Sequence, residues 1–523
     1  MTLSPDLTEQ KYSTLKQIFG YDSFRPGQED IVNHLLGQGD ALAVMPTGAG
    51  KSICYQLPAL LMPGVTVVVS PLISLMKDQV QALIQMGVRA AYINSSLTEG
   101  QCRKALSNAS QGMYKIIYVA PERLLTPSFL RFAHSISISL LCVDEAHCVS
   151  QWGQDFRPSY LQIREFIAAL PNRPPVGAFT ATATAHVRKD ILQMLDLQDP
   201  LEVITGFDRP NLYFEVQRLQ DRDKMAALKV YLDAHPDRCG IVYCSTRKKV
   251  DQVYTHLTDM GVSAARYHAG LEDSLRQQNQ DDFLFDKVRV MVATNAFGMG
   301  IDKSNVGFVV HYNMPLDLES YYQEAGRAGR DGQPADCILL YSASDVRTGN
   351  FLIDNSSPKA GVDQEELEAL RNRQRERLKQ MTFYCHSKYC LRGEMLRYFG
   401  QRQKQPCGNC SICLPGQEKA NVVTVRAAQE KKRIQVEEKN LDPELWQTLK
   451  KLRLDLARRA GVPAFVVFTD ATLRQMCALC PTTEQQFLQV PGVGARKCQQ
   501  YSKYLSLIHI SFLHCPSVRE ELM

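Results

Sequence analysis

The sequence lacks a long hydrophobic run, since no apolar stretch approaches the ~20 residues that a membrane-spanning helix needs. Its first residues also lack the pattern of a secretory signal, because acidic side chains come early and no apolar segment precedes a small-residue cleavage site. These two absences argue against an integral membrane protein and against an exported one. We therefore expect a cytoplasmic protein that makes no membrane contact.

A strong excess of one charge is absent as well. The 60 basic and 55 acidic residues leave a formal net charge of +5, which by itself cannot establish a nucleic-acid partner. Hydrophobic residues make up 45% of the 523 positions, an ordinary globular content that argues against a disordered or fibrous chain. Cysteine, in contrast, is plentiful, and 16 cysteines without an export signal predict metal ligands before they predict disulfides.

Short β-branched segments alternate with longer amphipathic ones from Asp40 onward, and the alternation begins again after Asp208. The apolar segments are ALAVM at 41, VTVVVS at 65, KIIYVA at 115 and LLCVDEA at 140, then GIVYCS at 240, VRVMVATN at 288 and VGFVVHYN at 306. Buried strands that alternate with helices are typical of a parallel sheet covered on both faces. The pattern predicts two consecutive α/β domains.

The strand pattern ends beyond about residue 345. EELEALRNRQRERLKQM then predicts a helix with a solvated charged face, and a cysteine-rich segment and a polar linker follow it. We divide the chain at these transitions. The predicted parts are the two α/β lobes at 1–207 and 208–345, a cysteine-rich module at 346–415, a linker at 416–440, a helical domain at 441–505 and a tail at 506–523.

A phosphate-binding loop follows the first strand. PTGAGKS, residues 46–52, lies between a hydrophobic strand and a predicted helix, where backbone N–H groups and a helix N-terminus can hold phosphate. Met45 replaces the first glycine of the strict pattern. We assign ATP contacts to Thr47, Gly48, Gly50, Lys51 and Ser52, with Lys51 directed at the β- and γ-phosphates and the Ser52 hydroxyl at Mg²⁺. A glycine-rich turn without a nucleotide is the alternative.

Two acidic residues, Asp144 and Glu145, come directly after a later apolar strand of the same domain. Two unpaired carboxylates there would be costly without a metal or a substrate charge. Asp144 suits the Mg²⁺ shell, and Glu145 can act as the general base on the attacking water. An Asp-Glu pair alone is usually a surface feature, so this assignment depends on the phosphate-binding loop before it.

QEAGRAGR, residues 323–330, predicts the positive charge that phosphoryl transfer needs. Arg327 and Arg330 are three residues apart, which predicts that they share one helix face. The glycines of this segment would each weaken such a helix by about 1 kcal/mol relative to alanine, a cost best explained by close backbone approach or packing. We assign Gln323, Arg327 and Arg330 to the catalytic set.

Cys390, Cys407, Cys410 and Cys413 form a C-x16-C-x2-C-x2-C pattern. Four thiolates with such short spacings suit a closed tetrahedral Zn²⁺ site. An iron–sulfur cluster also accepts four cysteines and is the alternative. Cys385 lies nearby and is a competing ligand.

In this order, the motifs resemble the two RecA-like lobes of a superfamily 2 helicase. DEAHCVSQWGQDFRPSY at 144–160 resembles the aromatic-rich loop of the RecQ helicases, and FGYDSFRPGQ at 19–28 resembles their adenine-recognition motif. Further similar segments are SPLISLMKDQV at 70, YVAPERL at 118, FTATAT at 179, FDRPNL at 207, YHAGL at 267 and ATNAFGMGID at 293. The resemblance covers residues 8–415 and favours zinc, with Cys390 and not Cys385 as a ligand.

The resemblance also implies roles for single residues near the N-terminus. Tyr21 would stack on the adenine, and Gln28 would bind its edge through a side-chain amide that both donates and accepts. Arg25 would help to hold the nucleotide.

The resemblance implies a DNA-sensing loop that consists of His147, Trp152, Phe156 and Arg157. The aromatic side chains would stack on bases of single-stranded DNA, worth about 1 to 3 kcal/mol per base, and His147 would pass the signal to the ATP site. Packing in a core is the alternative for the aromatic residues, although polar neighbours argue against it. Gln154 stands where the family loop usually has histidine, so we expect altered coupling between DNA binding and hydrolysis.

The helical domain resembles the HRDC domain of many RecQ helicases through VPAFVVFTDATLRQM and VPGVGARK. Gly492 and Gly494 could direct backbone N–H groups toward phosphate, although a plain turn between helices is the alternative. Relatives usually carry a winged-helix domain before HRDC, whereas 27 residues separate Cys413 from Leu441 here, too few for a domain of ~50 residues or more. A natural deletion, an engineered one and a faulty gene model remain open. LSLIHIS at 505–511 matches a sequencing-adapter translation, so we hypothesise a non-native tail.

The predicted fold class is α/β, with two tandem RecA-like parallel-sheet lobes, a small helical zinc-binding module and a C-terminal all-α HRDC-like domain. The resemblance implies a 3′-to-5′ DNA helicase that uses ATP, Mg²⁺ and Zn²⁺ on single-stranded and forked DNA. It further implies a protein of the bacterial nucleoid that acts in recombination, repair and the SOS response with single-strand-binding protein and other repair factors. The sequence does not determine the oligomeric state, and a monomer is our expectation. The alternatives are an RNA helicase or duplex translocase, and a non-hydrolysing nucleic-acid-binding scaffold.

Overall fold

The computed structural model describes residues 4–152, 156–297, 303–355, 364–403, 405–414 and 442–504. Gln154, the linker at 416–440 and the tail at 506–523 lie outside the described residues, so the expectations for them stay predictions. No helix within the described ranges is both long and apolar enough to cross a membrane.

The first lobe is built on a seven-stranded sheet in which every described pairing is parallel. Its strands are β1 (Ala41–Val44), β2 (Val65–Val69), β3 (Ala90–Ile93), β4 (Ile116–Val119), β5 (Ile138–Val143), β6 (Val176–Thr180) and β7 (Leu201–Ile204). Their spatial order is β3-β4-β2-β5-β6-β1-β7. The helices around the sheet are α1 (Pro5–Thr14), α2 (Gln28–Leu36), α3 (Lys51–Leu61), α4 (Ile73–Gln85), α5 (Glu99–Ser110), α6 (Pro127–Ser135), α7 (Gln162–Ala169) and α8 (Ala185–Met194).

The second lobe repeats this design with a six-stranded parallel sheet. Its strands are β8 (Leu212–Arg218), β9 (Gly240–Tyr243), β10 (Ala264–Tyr267), β11 (Val290–Ala293), β12 (Phe308–His311) and β13 (Ala335–Tyr341), in the spatial order β10-β11-β9-β12-β13-β8. Its helices are α9 (Lys224–Ala234), α10 (Arg247–Asp259), α11 (Asp273–Leu284), α12 (Leu318–Ala325) and α13 (Ala343–Asp354).

Buried β-branched strands determine where the functional loops lie. β1, β2, β4 and β5 are buried where they meet their neighbours at the centre of the sheet, as their continuous apolar sequences require. In a parallel sheet the loops that follow the strands open at the same edge. The loops after β1 and β5 therefore meet, and the predicted α/β fold with two lobes is confirmed.

The cysteine-rich module begins with α14 (Gln364–His386) and α15 (Leu391–Tyr398) and joins the free edge of the second sheet. The Ser411 N–H donates to the Phe214 carbonyl oxygen of β8 at 2.9 Å. The Arg392 guanidinium donates to the Asp208 carboxylate at 2.7 Å and to the Arg209 carbonyl oxygen at 2.5 Å. The module thereby holds the segment that connects the two lobes.

The C-terminal domain consists of one long helix and four shorter ones around a core of its own. They are α16 (Pro443–Ala460), α17 (Ala464–Val467), α18 (Asp470–Leu479), α19 (Glu484–Leu488) and α20 (Ala495–Tyr501). The domain packs on the first lobe, where the Gly492 N–H donates to the Gly20 carbonyl oxygen at 3.0 Å.

Candidate functional site

The phosphate-binding loop connects β1 to α3 at the edge where the strands end. Gly48 and Gly50 have φ of 81° and 83°, in the left-handed region that favours glycine. α3 begins at Lys51, so its free N–H groups face the loop. The Lys51 ammonium donates to a loop carbonyl oxygen at 3.1 Å. Burial lowers the Lys51 pKa, and the carboxylates of Glu145 and Asp144 oppose that shift. The loop therefore has the shape and the charge of a phosphate site.

Gln28 and Arg25 pack directly on this loop. The buried Gln28 amide donates to the carbonyl oxygens of Ala49 and Gly50 at 3.0 and 3.1 Å. Its Oε1 accepts from the Arg25 backbone N–H at 2.9 Å, and the Arg25 guanidinium donates to the Gly48 carbonyl oxygen at 2.6 Å. The residues predicted to bind the nucleotide base thus also fix the conformation of the phosphate loop.

Asp144 and Glu145 follow β5 and lie beside the loop. Asp144 is 8% exposed, and burial together with the negative charge of Glu145 raises its carboxyl pKa. Glu145 has a φ of 47°, a strained conformation for a residue other than glycine and one that is concentrated at functional sites. Two neighbouring carboxylates with hard oxygen atoms fit a bound Mg²⁺, which would remove the repulsion that raises the pKa.

His147 and Tyr160 connect the acidic pair to both sides of the aromatic-rich loop. The His147 Nδ1 lies 3.3 Å from the Glu145 Oε2 and 2.8 Å from the Thr180 Oγ1 of β6. The Tyr160 hydroxyl donates to the Asp144 carbonyl oxygen at 2.9 Å. A displacement of the loop would therefore be transmitted to the acidic pair.

Trp152 lies on the surface of this loop. It is 41% exposed, and its ring meets the His186 ring edge-on at 4.8 Å between centroids. Packing in a core is therefore wrong for Trp152, whereas Phe156 is partly buried. The Arg157 guanidinium donates to the Pro71 carbonyl oxygen at 2.7 Å and anchors the far end of the loop.

The second lobe contributes Gln323, Arg327 and Arg330 to the same cavity. α12 ends at Ala325, and the following residues form turns, so the prediction that the two arginines share a helix face is wrong. Burial lowers the pKa of Arg327, because it disfavours the charged guanidinium. A nearby negative charge such as a phosphate would offset this cost. The positive charge of Arg330 acts on Lys51 across the cleft, so the two lobes together concentrate positive charge at one point.

The glycines in this segment explain why the helix ends. A Cβ atom on Gly326 would lie 2.5 Å from the Thr47 Oγ1, and Gly329 has a φ of 56°. The Thr47 hydroxyl donates to the Gly326 carbonyl oxygen at 3.0 Å. The predicted close backbone approach is thus confirmed, and it lies between the lobes.

Arg209 is a residue of the cleft that the sequence did not single out. Its guanidinium donates to the Thr47 carbonyl oxygen at 2.8 Å in the first lobe and to the Ala328 and Gly329 carbonyl oxygens at 2.9 and 2.7 Å in the second. Arg209 lies in FDRPNL, one of the segments that resemble the family. Its partners, however, are main-chain oxygens, so no pattern of side chains in the sequence indicates its role. It joins the phosphate loop to the arginine turn.

The cavity between the lobes measures about 410 Å³ and takes part of its wall from the C-terminal domain. Phe465, Val466, Thr469 and Lys497 of that domain line it together with Tyr21. The Gly492 N–H is already bonded to Gly20, so the expectation that it faces a DNA phosphate is wrong in this arrangement. The turn instead packs the domain against the adenine motif.

The four predicted cysteines come together in the module beyond the second lobe. The sulfur atoms of Cys390, Cys407, Cys410 and Cys413 all lie within 4.8 Å of one another. The Cys390 and Cys407 sulfurs each accept a backbone N–H at 3.3 Å, so main-chain donors hold the two sulfur atoms in place. This set of soft, closely spaced donors fits a tetrahedral Zn²⁺ ion. Cys385 is buried in the hydrophobic core and does not belong to the set.

Four family profiles match the chain along its length. They are a DEAD/DEAH box helicase domain at residues 25–191, a helicase conserved C-terminal domain at 223–332, a RecQ zinc-binding domain at 343–414 and an HRDC domain at 442–508. The zinc-binding match and the cysteine geometry support Zn²⁺ over an iron–sulfur cluster.

Curated relatives match over most of their length. The ATP-dependent DNA helicase RecQ of Bacillus subtilis (strain 168) is 37% identical over 94% of this chain and 97% of its own, and the RecQ of Haemophilus influenzae is 34% identical over 95% of each. The first alignment extends over 582 positions, more than the 523 residues of the chain, so that relative contains residues without a counterpart here. Among solved structures, S. cerevisiae Dbp5 bound to RNA and ADP BeF3 has a TM-score of 0.53 at 19% identity, covering 72% of this chain and 98% of its own.

Proposed function

Because the chain belongs to the RecQ family of ATP-dependent DNA helicases, we propose that this ATP-hydrolysing enzyme moves 3′-to-5′ along single-stranded DNA and separates duplexes in recombination and repair. The observation that best supports this is a single cleft with residues of both lobes in its walls. Lys51 and Glu145 face Arg327 and Arg330 across it. Binding of a phosphate chain there would pull the lobes together, and its hydrolysis would release them.

Nucleotide binding is assigned to the first lobe. Tyr21 stacks on the adenine and Gln28 binds its edge, which requires the Gln28 amide to exchange its present bonds to the loop. Lys51 and the loop N–H groups hold the β- and γ-phosphates. Ser52 and Asp144 are the residues that would hold Mg²⁺, which neutralises phosphate charge when it is bound.

Hydrolysis is assigned to residues on both sides of the cleft. The Glu145 carboxylate accepts a proton from the attacking water, and its strained backbone fixes the direction of that carboxylate. Arg327 and Arg330 neutralise the charge that develops on the transferring phosphoryl group, and Gln323 orients the groups around it. The arginines are effective only when the cleft is closed, which makes hydrolysis sensitive to lobe position.

DNA sensing is assigned to the aromatic-rich loop. A base stacked on Trp152 would shift the loop, and His147 and Tyr160 at its two sides would transmit the shift to Glu145 and Asp144. Trp152→Ala should therefore reduce DNA-stimulated ATP hydrolysis far more than DNA-free hydrolysis. Equal reductions of both rates would show that Trp152 has only a structural role.

Polarity and substrate class are tested on duplexes with a single-stranded tail on one strand only. We expect ATP-dependent strand displacement with a 3′ DNA tail, little with a 5′ tail, and little on matched RNA duplexes. Lys51→Ala is the control and should abolish displacement and ATP hydrolysis, because it removes a phosphate contact without removing core volume. Faster displacement of RNA, or of the 5′-tailed duplex, would overturn the proposal.

A further inference from the structure

The zinc module contacts the aromatic-rich loop of the first lobe through α14. The central guanidinium carbon of Arg373 lies 4.9 Å from the centroid of the Trp152 ring. One helical turn further, the Arg377 guanidinium donates to the Trp152 carbonyl oxygen. Residues four apart share a helix face, so both arginines meet the loop together. We name Arg373 and Arg377 the arginine clasp.

The Arg373 charge in this clasp is not neutralised by a carboxylate within the described part of the chain. Its Nε is buried and has no hydrogen-bond partner among the described residues. Arg375, two residues away, differs in this respect, because it pairs with Asp354 at 2.7 Å and with Glu368 at 2.9 Å. Within the described ranges, the same helix therefore presents one arginine paired with carboxylates and one without a carboxylate partner.

Arg377 also lies near the helix that leads to the arginine turn of the cleft. Burial and the charge of Asp317 raise the pKa of Glu319 in α12, and the positive charge of Arg377 opposes that shift. α12 ends at Ala325, two residues before Arg327 of the arginine turn. The clasp thus contacts the DNA-sensing loop at one end and faces the start of this helix at the other.

We propose that the arginine clasp holds Trp152 in the DNA-free protein, and that single-stranded DNA takes Trp152 from the clasp. A base then stacks on the ring that Arg373 covers, and the released guanidinium groups bind the phosphates of the strand. The proposal rests on the proposed function, in which Trp152 senses DNA.

The energies of the two contacts favour this exchange. A cation over an exposed aromatic ring is a weaker contact than a base stacked on the same ring. A guanidinium group binds a phosphate through two parallel hydrogen bonds, which a lysine could not reproduce. Arg373 therefore exchanges a weak ring contact for a stronger phosphate contact, and Arg377 exchanges a carbonyl oxygen for a charged phosphate oxygen.

Tryptophan fluorescence tests the clasp itself. The chain has two tryptophans, so Trp446→Phe leaves Trp152 as the only tryptophan, which is excited selectively at wavelengths that tyrosine does not absorb. In that background, Arg373→Gln with Arg377→Gln should increase quenching of the DNA-free protein by acrylamide, a neutral quencher that reports exposure of the ring. Arg375→Gln removes one charge from the same helix without a contact to Trp152, so it should leave quenching unchanged. Unchanged quenching in the double variant would overturn the proposal.

The salt dependence of binding to an oligo-dT strand tests the transfer to phosphate. Each lost phosphate contact lowers the slope of log K against log salt by about 0.7 for single strands, so the double variant should lose about 1.4. At low salt the double variant should bind more weakly than the parent, because it lacks two phosphate contacts. At high salt, where those contacts contribute little, it should bind more tightly, because Arg373 no longer competes with the base for the Trp152 ring. The two lines should cross, and the Arg375→Gln line should coincide with the parent.

Parallel plots of log K against log salt for the parent and the double variant would mean that the arginines do not bind phosphates of the strand. That result would overturn the proposal even if quenching changed. Failure of the sensor function is a separate result. It would appear as DNA stimulation that survives Trp152→Ala, while quenching still reports on the clasp.

Discussion

Arg209 concentrates the contacts between the lobes in one side chain. It is buried, and its donors reach Thr47 of the phosphate loop as well as Gly326, Ala328 and Gly329 of the arginine turn. Burial lowers its pKa, so part of its interaction energy offsets the cost of desolvation. An arginine is needed because only a rigid, planar group with five donors can meet this many carbonyl oxygens.

Arg209→Lys should keep the charge and lose the contacts between the lobes. We expect DNA-stimulated turnover to fall about 10-fold or more, because at least one buried hydrogen bond to a charged group is lost, worth about 1.5 kcal/mol. Single-strand binding without nucleotide should change much less. Arg218→Lys is the matched control, since Arg218 also donates to main-chain oxygens but lies in β8, away from the cleft. Equal losses of turnover in both variants would contradict the bridging role.

At the scale of elements, the zinc module supports the connection between the lobes. Arg392 and Asn409 of the module donate to main-chain oxygens of the connecting segment, including the Pro210 carbonyl oxygen at 3.0 Å from the Asn409 amide. Asn409 lies between two of the four cysteines. Removal of the metal should therefore disturb more than the module.

Cys410→Ala should lose zinc and destabilise residues 390–413, because a broken ligand set forfeits binding energy that is also folding energy. We expect metal analysis to find no stoichiometric zinc, a lower melting temperature and weaker coupling of hydrolysis to DNA. Cys385→Ala is the control, because Cys385 is buried outside the cluster, and it should keep its zinc. One zinc per chain in both variants would refute the site, and iron with visible absorption in the wild type would favour an iron–sulfur cluster.

Elements with a single strong pattern could be predicted from the sequence. All seven apolar segments that were predicted as strands are strands, and the charged segment before the cysteines forms α14. Six described strands were missed. β3, β7 and β10 are partly exposed edge strands with mixed sequences, β8 ends in polar residues, and a glycine interrupts the apolar run of β6. β13 is buried throughout and was overlooked although it contains the apolar run CILLY. The end of α12 was also missed, since it is set by the other lobe.

Candidate site residues were predictable where the motif itself holds the chemistry, as for Lys51, Asp144 and the four cysteines. Arg209 and the arginine clasp were not, because their importance depends on which surfaces the fold brings together. A sequence pattern records local spacing. It does not show which carbonyl oxygen or aromatic ring from a distant part of the chain a side chain contacts in the folded protein, as Arg209 contacts Thr47 and Arg373 contacts Trp152.

At the scale of the whole molecule, the C-terminal domain covers the nucleotide cavity. A Cβ atom on Gly494 would lie 2.6 Å from the Gln17 carbonyl oxygen of the first lobe, so the contact depends on a glycine at that position. The docked domain places Lys497 in the cavity wall. Its charge is therefore partly buried when no nucleotide is present.

Docking of this domain should depend on pH. Burial lowers the pKa of Lys497 from 10.5 to about 8, so the docked state binds fewer protons than the free domain between these values. The cost of burying the charge is fully present below about pH 8 and is relieved as the pH rises, so docking should strengthen with rising pH in the nucleotide-free protein. Energy transfer between dyes on the two domains measures this. Lys497→Met should remove the dependence, and Gly494→Ala should undock the domain at every pH. A docked fraction that falls with rising pH would contradict the assignment.

The short connection between the zinc module and the HRDC domain should affect duplex binding and unwinding by the whole enzyme. Residues 415–441 lie outside the described part of the chain, and they are too few for the winged-helix domain that the family resemblance implies. Such a domain would supply contacts to duplex DNA, whereas in the proposed function the motor lobes would hold the single strand. Phosphate contacts dominate affinity, so the chain should bind duplex DNA weakly and with a shallow salt dependence, while single-strand binding changes much less.

We therefore expect robust ATP hydrolysis on single-stranded DNA and poor unwinding of forks. Insertion of a relative's winged-helix domain after Cys413 should raise the number of base pairs unwound per ATP and steepen the salt dependence of duplex binding. A flexible linker of the same length is the first control, and Gly494→Ala is the second, since it separates undocking of the HRDC domain from the gain of duplex contacts. If both controls unwind as poorly as the parent and only the winged helix restores unwinding, the defect lies in duplex contacts. Equal unwinding per ATP in the parent and all three variants would mean that the lobes and the zinc module separate strands without help.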